Sequence, residues 1–412
     1  MLKKIAFYFF MLWSLGISAQ SSFKVMFYNL LEFPSANPSN RDEILRDILD
    51  VYQPDLFMVC ELESGAGGNL ILDASLNDTE FLYNSATFVP NQSSTSDLQQ
   101  LLFFRKDKFI LENEQIITTD VRDINHYTLK LRTENMATNP VVLELYVCHL
   151  KSSQGGSNQI ERLQMVQKFT SDLENLDPNA FVLFAGDLNL YTSTEPAYVE
   201  LLDNTNAITM VDPINTPGSW SSNINFQEVH TQSTRTSSSP FGAGAGGGLD
   251  DRFDFILMSE NMQTNPTLQY ISDTYKAFGN NGNCFNESIN DPNCTGTFPQ
   301  SLRDLLYNMS DHLPVIMDLE TEETIVLSSP SEALTQHEVY LRKNIIGNQL
   351  EIVNTSNGNF RFEIYNLLGQ RISNFEVASR ENNTIDVSYL QTGVYFLRDN
   401  TNPEILLKFL KQ

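Results

Sequence analysis

Two segments decide the reading of this chain: Phe184-Ala185-Gly186-Asp187-Leu188-Asn189 and Ser310-Asp311-His312-Leu313-Pro314-Val315. In the first, Asp187 and Asn189 are two residues apart, so at a strand end they project to the same side. In the second, Asp311 and His312 are adjacent, and Pro314 opens the next apolar strand. Both place a carboxylate beside a second polar group where a buried strand runs out into a loop. That is how a sheet edge presents acids, bases and metal ligands.

Working outward, more strand ends carry the same kind of residue. Asn29 lies in the apolar run Phe23 to Leu30, Glu61 follows Leu56-Phe57-Met58-Val59-Cys60, and His149 follows Leu145-Tyr146-Val147-Cys148. Asp254 sits in the alternating stretch Arg252-Phe253-Asp254-Phe255-Ile256, whose charged face must find a partner. A carboxylate on a buried strand is costly unless paired or metal-bound. Taken together these residues supply what phosphodiester cleavage requires. A divalent cation neutralises the phosphate oxygens, an activated water attacks in line, and a donor meets the developing charge. Carboxylate and amide oxygens suit Mg²⁺ or Ca²⁺, and histidine titrates in the useful range.

The intervening sequence alternates strand-like and helical runs from Phe23 to Glu320. Arg41 to Tyr52 places Ile44, Leu45, Ile48, Leu49 and Tyr52 at helical spacing, which predicts a helix. Ile160 to Leu173 predicts another, with Leu163, Val166, Gln167 and Thr170 along one face. Strands are expected over 101–105, 128–132, 141–149, 181–185, 253–258 and 315–319. The pattern is that of a layered α/β sandwich. Thr216 to Leu249, ending in Gly242-Ala243-Gly244-Ala245-Gly246-Gly247-Gly248, is expected to be a long loop with little packing of its own and a functional role beside Asp254. Residues 321–335 carry no apolar period and are expected to form a linker. Beyond them, short strands separated by turn signals predict a small all-β sandwich over 336–412.

Composition sets the setting. Lys and Arg number 26 against 51 Asp and Glu, a formal net charge of −25. Such acidity keeps an extracellular protein soluble. It disfavours a broad non-specific grip on nucleic acid, which needs Lys and Arg on phosphates, yet bound cations can invert the field at one site. Lys3 and Lys4, the apolar stretch Ile5 to Ile17 and Ser18-Ala19 predict a secretory signal over residues 1–19. No later run is long enough to span a membrane. Cys60 and Cys148 read as core thiols. Cys284 and Cys294 flank a polar loop and, in an exported chain, are expected to form a local disulfide.

The series Tyr28-Asn29, Val59-Cys60-Glu61, Cys148-His149-Leu150, Gly186-Asp187-Leu188-Asn189, Arg252-Phe253-Asp254-Phe255-Ile256 and Ser310-Asp311-His312-Leu313-Pro314-Val315 resembles the endonuclease/exonuclease/phosphatase superfamily, which includes deoxyribonuclease I. The resemblance spans about Phe23 to Glu320. It implies a four-layered sandwich, two mixed β-sheets flanked by helices, and roles for each residue. Glu61 would be the main metal ligand, with Asn29 and Asp311 near the ion. Asp187 would orient or deprotonate the attacking water, and Asn189 would hold the phosphate. His312 would contact the scissile phosphate, oriented by Asp254, while His149 would contact it from the other side. Arg122 is a further expected phosphate contact. The implied cofactor is Mg²⁺, with Ca²⁺ or Mn²⁺ as alternatives. Cys60 stands where many members have Gln, and Asp97 is the one carboxylate of its stretch available to support His149.

The C-terminal module resembles the sorting domain of the type IX secretion system. The resemblance rests on Ile364-Tyr365-Asn366-Leu367-Leu368-Gly369-Gln370, Ile385-Asp386-Val387-Ser388-Tyr389-Leu390 and Thr392-Gly393-Val394-Tyr395-Phe396-Leu397. It implies export through an outer membrane to the surface or medium. The whole predicts a secreted, monomeric, metal-dependent phosphodiesterase, most simply a nuclease on extracellular DNA or RNA. Two rivals stand beside it. One is a phosphatase or sphingomyelinase-like lipase, for which Trp220 and Phe241 would be exposed loop aromatics. The other is a catalytically silent surface protein.

Overall fold

The computed structural model describes residues 21–327 apart from 79 and 80, and residues 339–412 apart from 344, 355, 357, 368 and 401–405. The expected signal over 1–19 and residues 328–335 of the expected linker lie outside the described residues. The chain forms two compact units that divide between residues 327 and 328. The first unit extends past the expected boundary at 320, because Ile325 bridges Thr133.

The larger unit runs β1 (Ser21–Phe33), α1 (Arg41–Tyr52), β2 (Leu56–Leu62), α2 (Gly65–Leu70), β3 (Tyr83–Ser85), β4 (Gln99–Arg105), β5 (Phe109–Ile117), β6 (Ile124–Leu131), β7 (Val142–His149) and α3 (Gly156–Asp172). It continues with β8 (Phe181–Asp187), α4 (Pro196–Leu201), β9 (Met210–Val211), β10 (Asp254–Ser259), β11 (Gln269–Tyr270), β12 (Lys276–Ala277), α5 (Gln300–Met309) and β13 (Val315–Thr321). One sheet has the order β11-β13-β1-β2-β4-β3, with β12 also on β13, and the other β5-β6-β7-β8-β10-β9. Both are mixed: β1–β2 and β7–β8 pair in parallel, while β1–β13 and β8–β10 are antiparallel. The α/β sandwich expected from the sequence is therefore present, with α2, β3, β5, α4, β9, β11, β12 and α5 added to the elements the pattern predicted.

Strand alternation explains the layering. On β7 and β8, Leu143, Leu145, Val147, Leu183 and Ala185 join the core between the sheets, whereas Tyr146, Val182 and Phe184 join a second core beneath α3 and α4. The odd-numbered residues thus face the opposing sheet, and His149 and Asp187 continue that series. On β10, Ile256 and Met258 face inward, so Asp254 does too. A fully buried Leu or Ile contributes about 1.5–3 kcal/mol, so a one-residue slip in these strands is strongly disfavoured.

α1 buries the predicted stripe of Ile44, Leu45, Ile48, Leu49 and Tyr52. Asp42 and Glu43 favour its N-terminus electrostatically. It stops at Gln53 in the left-handed region, whose N–H donates to Leu49 O. The stripe of α3 differs from expectation. It consists of Arg162, Met165, Val166, Phe169 and Thr170, and Gln167 is exposed. The reason is an ion pair that apolar periodicity cannot register. Arg162 is buried because Glu195 accepts from its Nε at 3.0 Å and Nη2 at 2.7 Å.

The outer face of the second sheet holds another buried charged group. His126 stacks on Tyr146 at 4.0 Å, with Nε2 2.9 Å from Glu144 and Nδ1 3.3 Å from Asp172. Burial lowers the pKa of His126, but Asp172 and Glu144 outweigh it and the net shift is upward. Asp172 is lowered, chiefly by its hydrogen bond with His126. A raised histidine stabilises the fold fully below its unfolded pKa of about 6.5, and loses that contribution as pH rises through the folded value. The Tm advantage of the wild type over His126→Gln should therefore be greatest near pH 5–6 and shrink steadily above about pH 6.5. A difference that grows toward alkaline pH would contradict this assignment.

The second unit has two sheets. One has three strands in the order Val339–Leu341, Gln349–Asn354, Glu381–Asp386, and the other five in the order Ile345–Ile346, Leu406–Lys411, Gly393–Asp399, Phe360–Asn366, Arg371–Val377. Leu350, Ile352, Phe362, Ile364, Val387 and Leu397 form its core. The small all-β module is as the turn spacing predicted. No described helix is long and apolar enough to cross a membrane.

Candidate active site

The register of the second sheet builds half of the site. His149 on β7 pairs with Asp187 on β8, and Asp187 pairs with Asp254 on β10. Three chemistry-bearing residues thus stand in one row across three adjacent strands, all on the face toward the other sheet. A glycine permits the close fit beside this row. A Cβ on Gly186 would lie 2.4 Å from Cys148 O and 2.6 Å from its Sγ.

The first sheet supplies the other half through two irregularities. The β1–β2 register shifts between Asn29 and Phe33, and the β2–β4 register shifts between Val59 and Leu62. Leu31, Glu32 and Glu61 consequently have φ of 50°, 44° and 57°. Such left-handed backbone costs about 1–3 kcal/mol per non-glycine residue and persists where the surroundings over-determine it. It turns Glu61 toward Asn29, whose Nδ2 donates to Glu61 Oε1 at 3.0 Å and to Asp187 Oδ2 at 3.1 Å. Asn189 also adopts a positive φ of 50°, a conformation asparagine tolerates. Its N–H donates to Asp187 Oδ1 at 3.1 Å.

The loop after α5 completes the set. His312 Nδ1 lies 2.7 Å from Asp254 Oδ2, which leaves Nε2 facing the interior, 3.7 Å from Asp187 Oδ2. His149 Nε2 approaches the same Asp187 oxygen at 3.4 Å, and its Nδ1 lies 3.9 Å from Glu61. His149 Nδ1 has no hydrogen-bond partner among the described residues, so the expected support from Asp97 is not made. Arg122 reaches the edge of the site by donating to Leu150 O at 3.2 Å, and its buried Nε is left without a partner. Asn29, Glu61, His149, Asp187, Asn189, Asp254 and His312 therefore come together in one buried site, with Arg122 at its edge. Cys284 and Cys294 lie elsewhere, joined in a disulfide with Cα atoms 5.3 Å apart.

The electrostatics are those of crowded acids. Burial raises Glu61, and Asp311 adds to the effect. Burial pushes Asp187 up to about 7, opposed by His312 and reinforced by Asp254 and Glu61. Burial also acts to lower His312, but Asp254, Asp187 and Asp311 together hold it well above the usual range. His149 is held well below that range by burial, then by Arg122 and His312.

These residues fit a hard divalent cation. Ligand atoms of Glu61, His149 and Asp187 lie within 4.8 Å of one another, as do those of Asp187, Asp254 and His312. Carboxylate oxygens are the preferred ligands of such ions. One expected ligand is turned differently. Asn29 Oδ1 accepts from Leu31 N–H at 3.0 Å, so this side chain presents its NH₂ to Glu61 and Asp187.

The long segment from Thr216 to Leu249 differs from the loosely packed loop its composition predicts. It is packed, not loose. Trp220 and Arg235 are fully buried, and Phe241 lies against Arg235 at 3.5 Å. Trp220 and Phe241 are therefore unavailable as exposed membrane-contacting aromatics. The segment also brings Gln232 and Ala245 to the site, and no motif pointed to either. Ala245 N–H donates to Asp311 Oδ2 at 2.6 Å. The neighbouring Gly244 has φ of 85°, and a Cβ there would meet Asp311 Cγ at 2.9 Å.

The chain is thus a two-sheet sandwich with buried carboxylates and two imidazoles gathered at one end of the sheets. Among solved structures, the chain is similar to TDP2 from D. rerio complexed with a single-strand DNA product (17% identity, 73% of this chain and 100% of that one, TM-score 0.48). It is also similar to an endonuclease/exonuclease/phosphatase family protein from Bacteroides thetaiotaomicron (13% identity, 74% and 96%, TM-score 0.46). A third is the human Nocturnin catalytic domain (14% identity, 73% and 97%, TM-score 0.43). Residues 346–411 match the family described as the secretion system C-terminal sorting domain. No curated protein matches the chain.

Proposed function

We propose that this protein is an exported, divalent-metal-dependent phosphodiesterase that hydrolyses extracellular DNA or RNA, with Mg²⁺ as the working cation. The observation that carries the reading is the convergence of Asn29, Glu61, His149, Asp187, Asn189, Asp254, Asp311 and His312 from six separate stretches of the chain into one buried site. Glu61, Asp311 and Asn29 would hold the cation; bound, it would neutralise the phosphate oxygens and the leaving oxygen. For Asn29 this means giving up its bond to Leu31. Asp187, at the centre of the row, orients or deprotonates the attacking water. Asp254 fixes the His312 ring through Nδ1, so that Nε2 meets the scissile phosphate. His149, Asn189 and Arg122 line the opposite side of that phosphate.

The sorting domain over 346–411 supports export, and we assign that route to the type IX machinery. The acidic chain, at −25 overall, suits substrate binding confined to the cleft.

The test is a gel assay of purified protein on supercoiled plasmid, with Mg²⁺ and with EDTA. Nicking that EDTA abolishes is the expected result. An intact plasmid together with turnover of nucleotide, sugar-phosphate or phospholipid esters would move the substrate class and keep the chemistry. Hydrolysis undiminished by EDTA would overturn the metal-dependent reading.

A further inference from the structure

Gln232 lies within the segment between Thr216 and Leu249, at a point where the backbone is firmly held. Its N–H donates to Asp251 O at 3.0 Å, and its carbonyl accepts from the N–H groups of Asp250 at 2.9 Å and Asp251 at 2.8 Å. It also forms a bridge with His312 on the other side. From this fixed base the side chain enters the site. Its Nε2 lies 3.1 Å from Asp311 Oδ2 and 2.6 Å from His312 Nε2. One amide nitrogen therefore touches both members of the Asp311-His312 pair, on the single imidazole nitrogen that Asp254 leaves free.

We propose that Gln232 is a positioning residue. It fixes the angle between the Asp311 carboxylate and the His312 ring, and so keeps the cation side of the site in register with the phosphate side. Three features support the assignment. The amide is half-buried and anchored on a backbone bonded along both edges. Asp311 Oδ2 already accepts from Ala245 N–H at 2.6 Å, so Gln232 supplies the second donor that stops the carboxylate rotating about that bond. His312 is fixed at Nδ1 by Asp254, and the amide nitrogens of Gln232 and Asn29, 2.6 and 3.4 Å from Nε2, limit the tilt of the ring until the phosphate takes that nitrogen. Displacing a catalytic group by about 1 Å can cost roughly 10²-fold in rate, so a residue that fixes two such groups acts mainly on kcat.

The proposal rests on the phosphodiesterase reading, so its test has an arm that does not. In the first arm, the metal-free wild type and Gln232→Ala are compared by long-range ¹H–¹⁵N NMR of the histidine rings. Gln232→Ala should shift the His312 Nε2 resonance while the Nδ1 proton bonded to Asp254 persists. An unmoved Nε2 signal would overturn the proposal, whatever the substrate. In the second arm, steady-state kinetics are measured on a phosphodiester. Gln232→Ala should lower kcat about tenfold or more, with KM within twofold. Gln232→Glu, equal in size but without donors and repelled by Asp311, should be at least as impaired. Gln232→Asn, which retains the donors, should recover part of the loss. Unchanged kcat, or a loss confined to KM, would overturn the positioning role. A wild type inactive on every phosphoester would instead defeat the proposed function and leave the first arm to decide Gln232.

Discussion

Asp187→Ala and His312→Ala are each expected to reduce phosphodiester hydrolysis by roughly 10²–10⁴-fold, with both variants still folded. Asp187 is the hub of the site. Its Oδ2 accepts from Asn29 at 3.1 Å and lies 3.4 Å from His149 and 3.7 Å from His312. Its neighbours in the row are the His149 imidazole on β7 and, on β10, the Asp254 carboxylate already bonded to His312 Nδ1. The two losses should not add. Residues acting as a unit are non-additive, so the double variant should be little worse than the poorer single one.

Stability should move the other way. A carboxyl raised to about 7 by burial favours its neutral form in the fold. It stabilises below its unfolded pKa of about 3.9, and that contribution is lost as pH rises toward 7. Metal-free Asp187→Asn, neutral at all pH, should therefore melt at or above the wild-type temperature at neutral pH. Full activity in either purified variant would sink the mechanism. A large drop in Tm for Asp187→Asn would sink the electrostatic account.

The largest expected stability loss comes from Asp212→Ala. Arg252 is buried, and its Nη1 and Nη2 donate to Asp212 at 2.8 and 3.0 Å. Its guanidinium lies over Phe255 at 4.1 Å and near Trp220 at 5.3 Å. Removing one partner of such a pair strands a buried charge and costs about 3–5 kcal/mol. A matched apolar replacement of both partners is often neutral or stabilising. Asp212→Ala should therefore lower Tm by more than about 6 °C, and the double variant Asp212→Leu/Arg252→Met by clearly less. Equal losses would show that packing, not charge, holds this pair. Activity should fall along with Tm, since Arg252 anchors the start of the strand bearing Asp254.

Much of this was legible along the chain. Apolar runs that end in Glu61, His149 and Asp187 marked buried strands delivering polar groups to an edge, because a buried carboxylate is costly unless paired or metal-bound. The alternating Arg252-Phe253-Asp254-Phe255 segment announced a charged face. The structure shows that its two charges also have separate partners, His312 for Asp254 and Asp212 for Arg252. The stripe of α3 was misjudged at Gln167 because Arg162 is buried by a charge 33 residues away. Thr216 to Leu249 was misjudged because glycine, serine and threonine look alike in a loose loop and in one packed tightly over a site.

The sequence by itself determined the long strands and two of the helices, and which polar residues stand at the strand ends. Those properties follow from local periodicity and from the cost of burying polar groups. Only the tertiary structure decided who faces whom. Asn29 meets Asp187 across 158 residues and His312 across 283, and Gln232 reaches His312 across 80. Such pairings arise when two sheets close on one core and two register shifts turn Asn29 and Glu61 inward. No window along the chain is long enough to contain that closure.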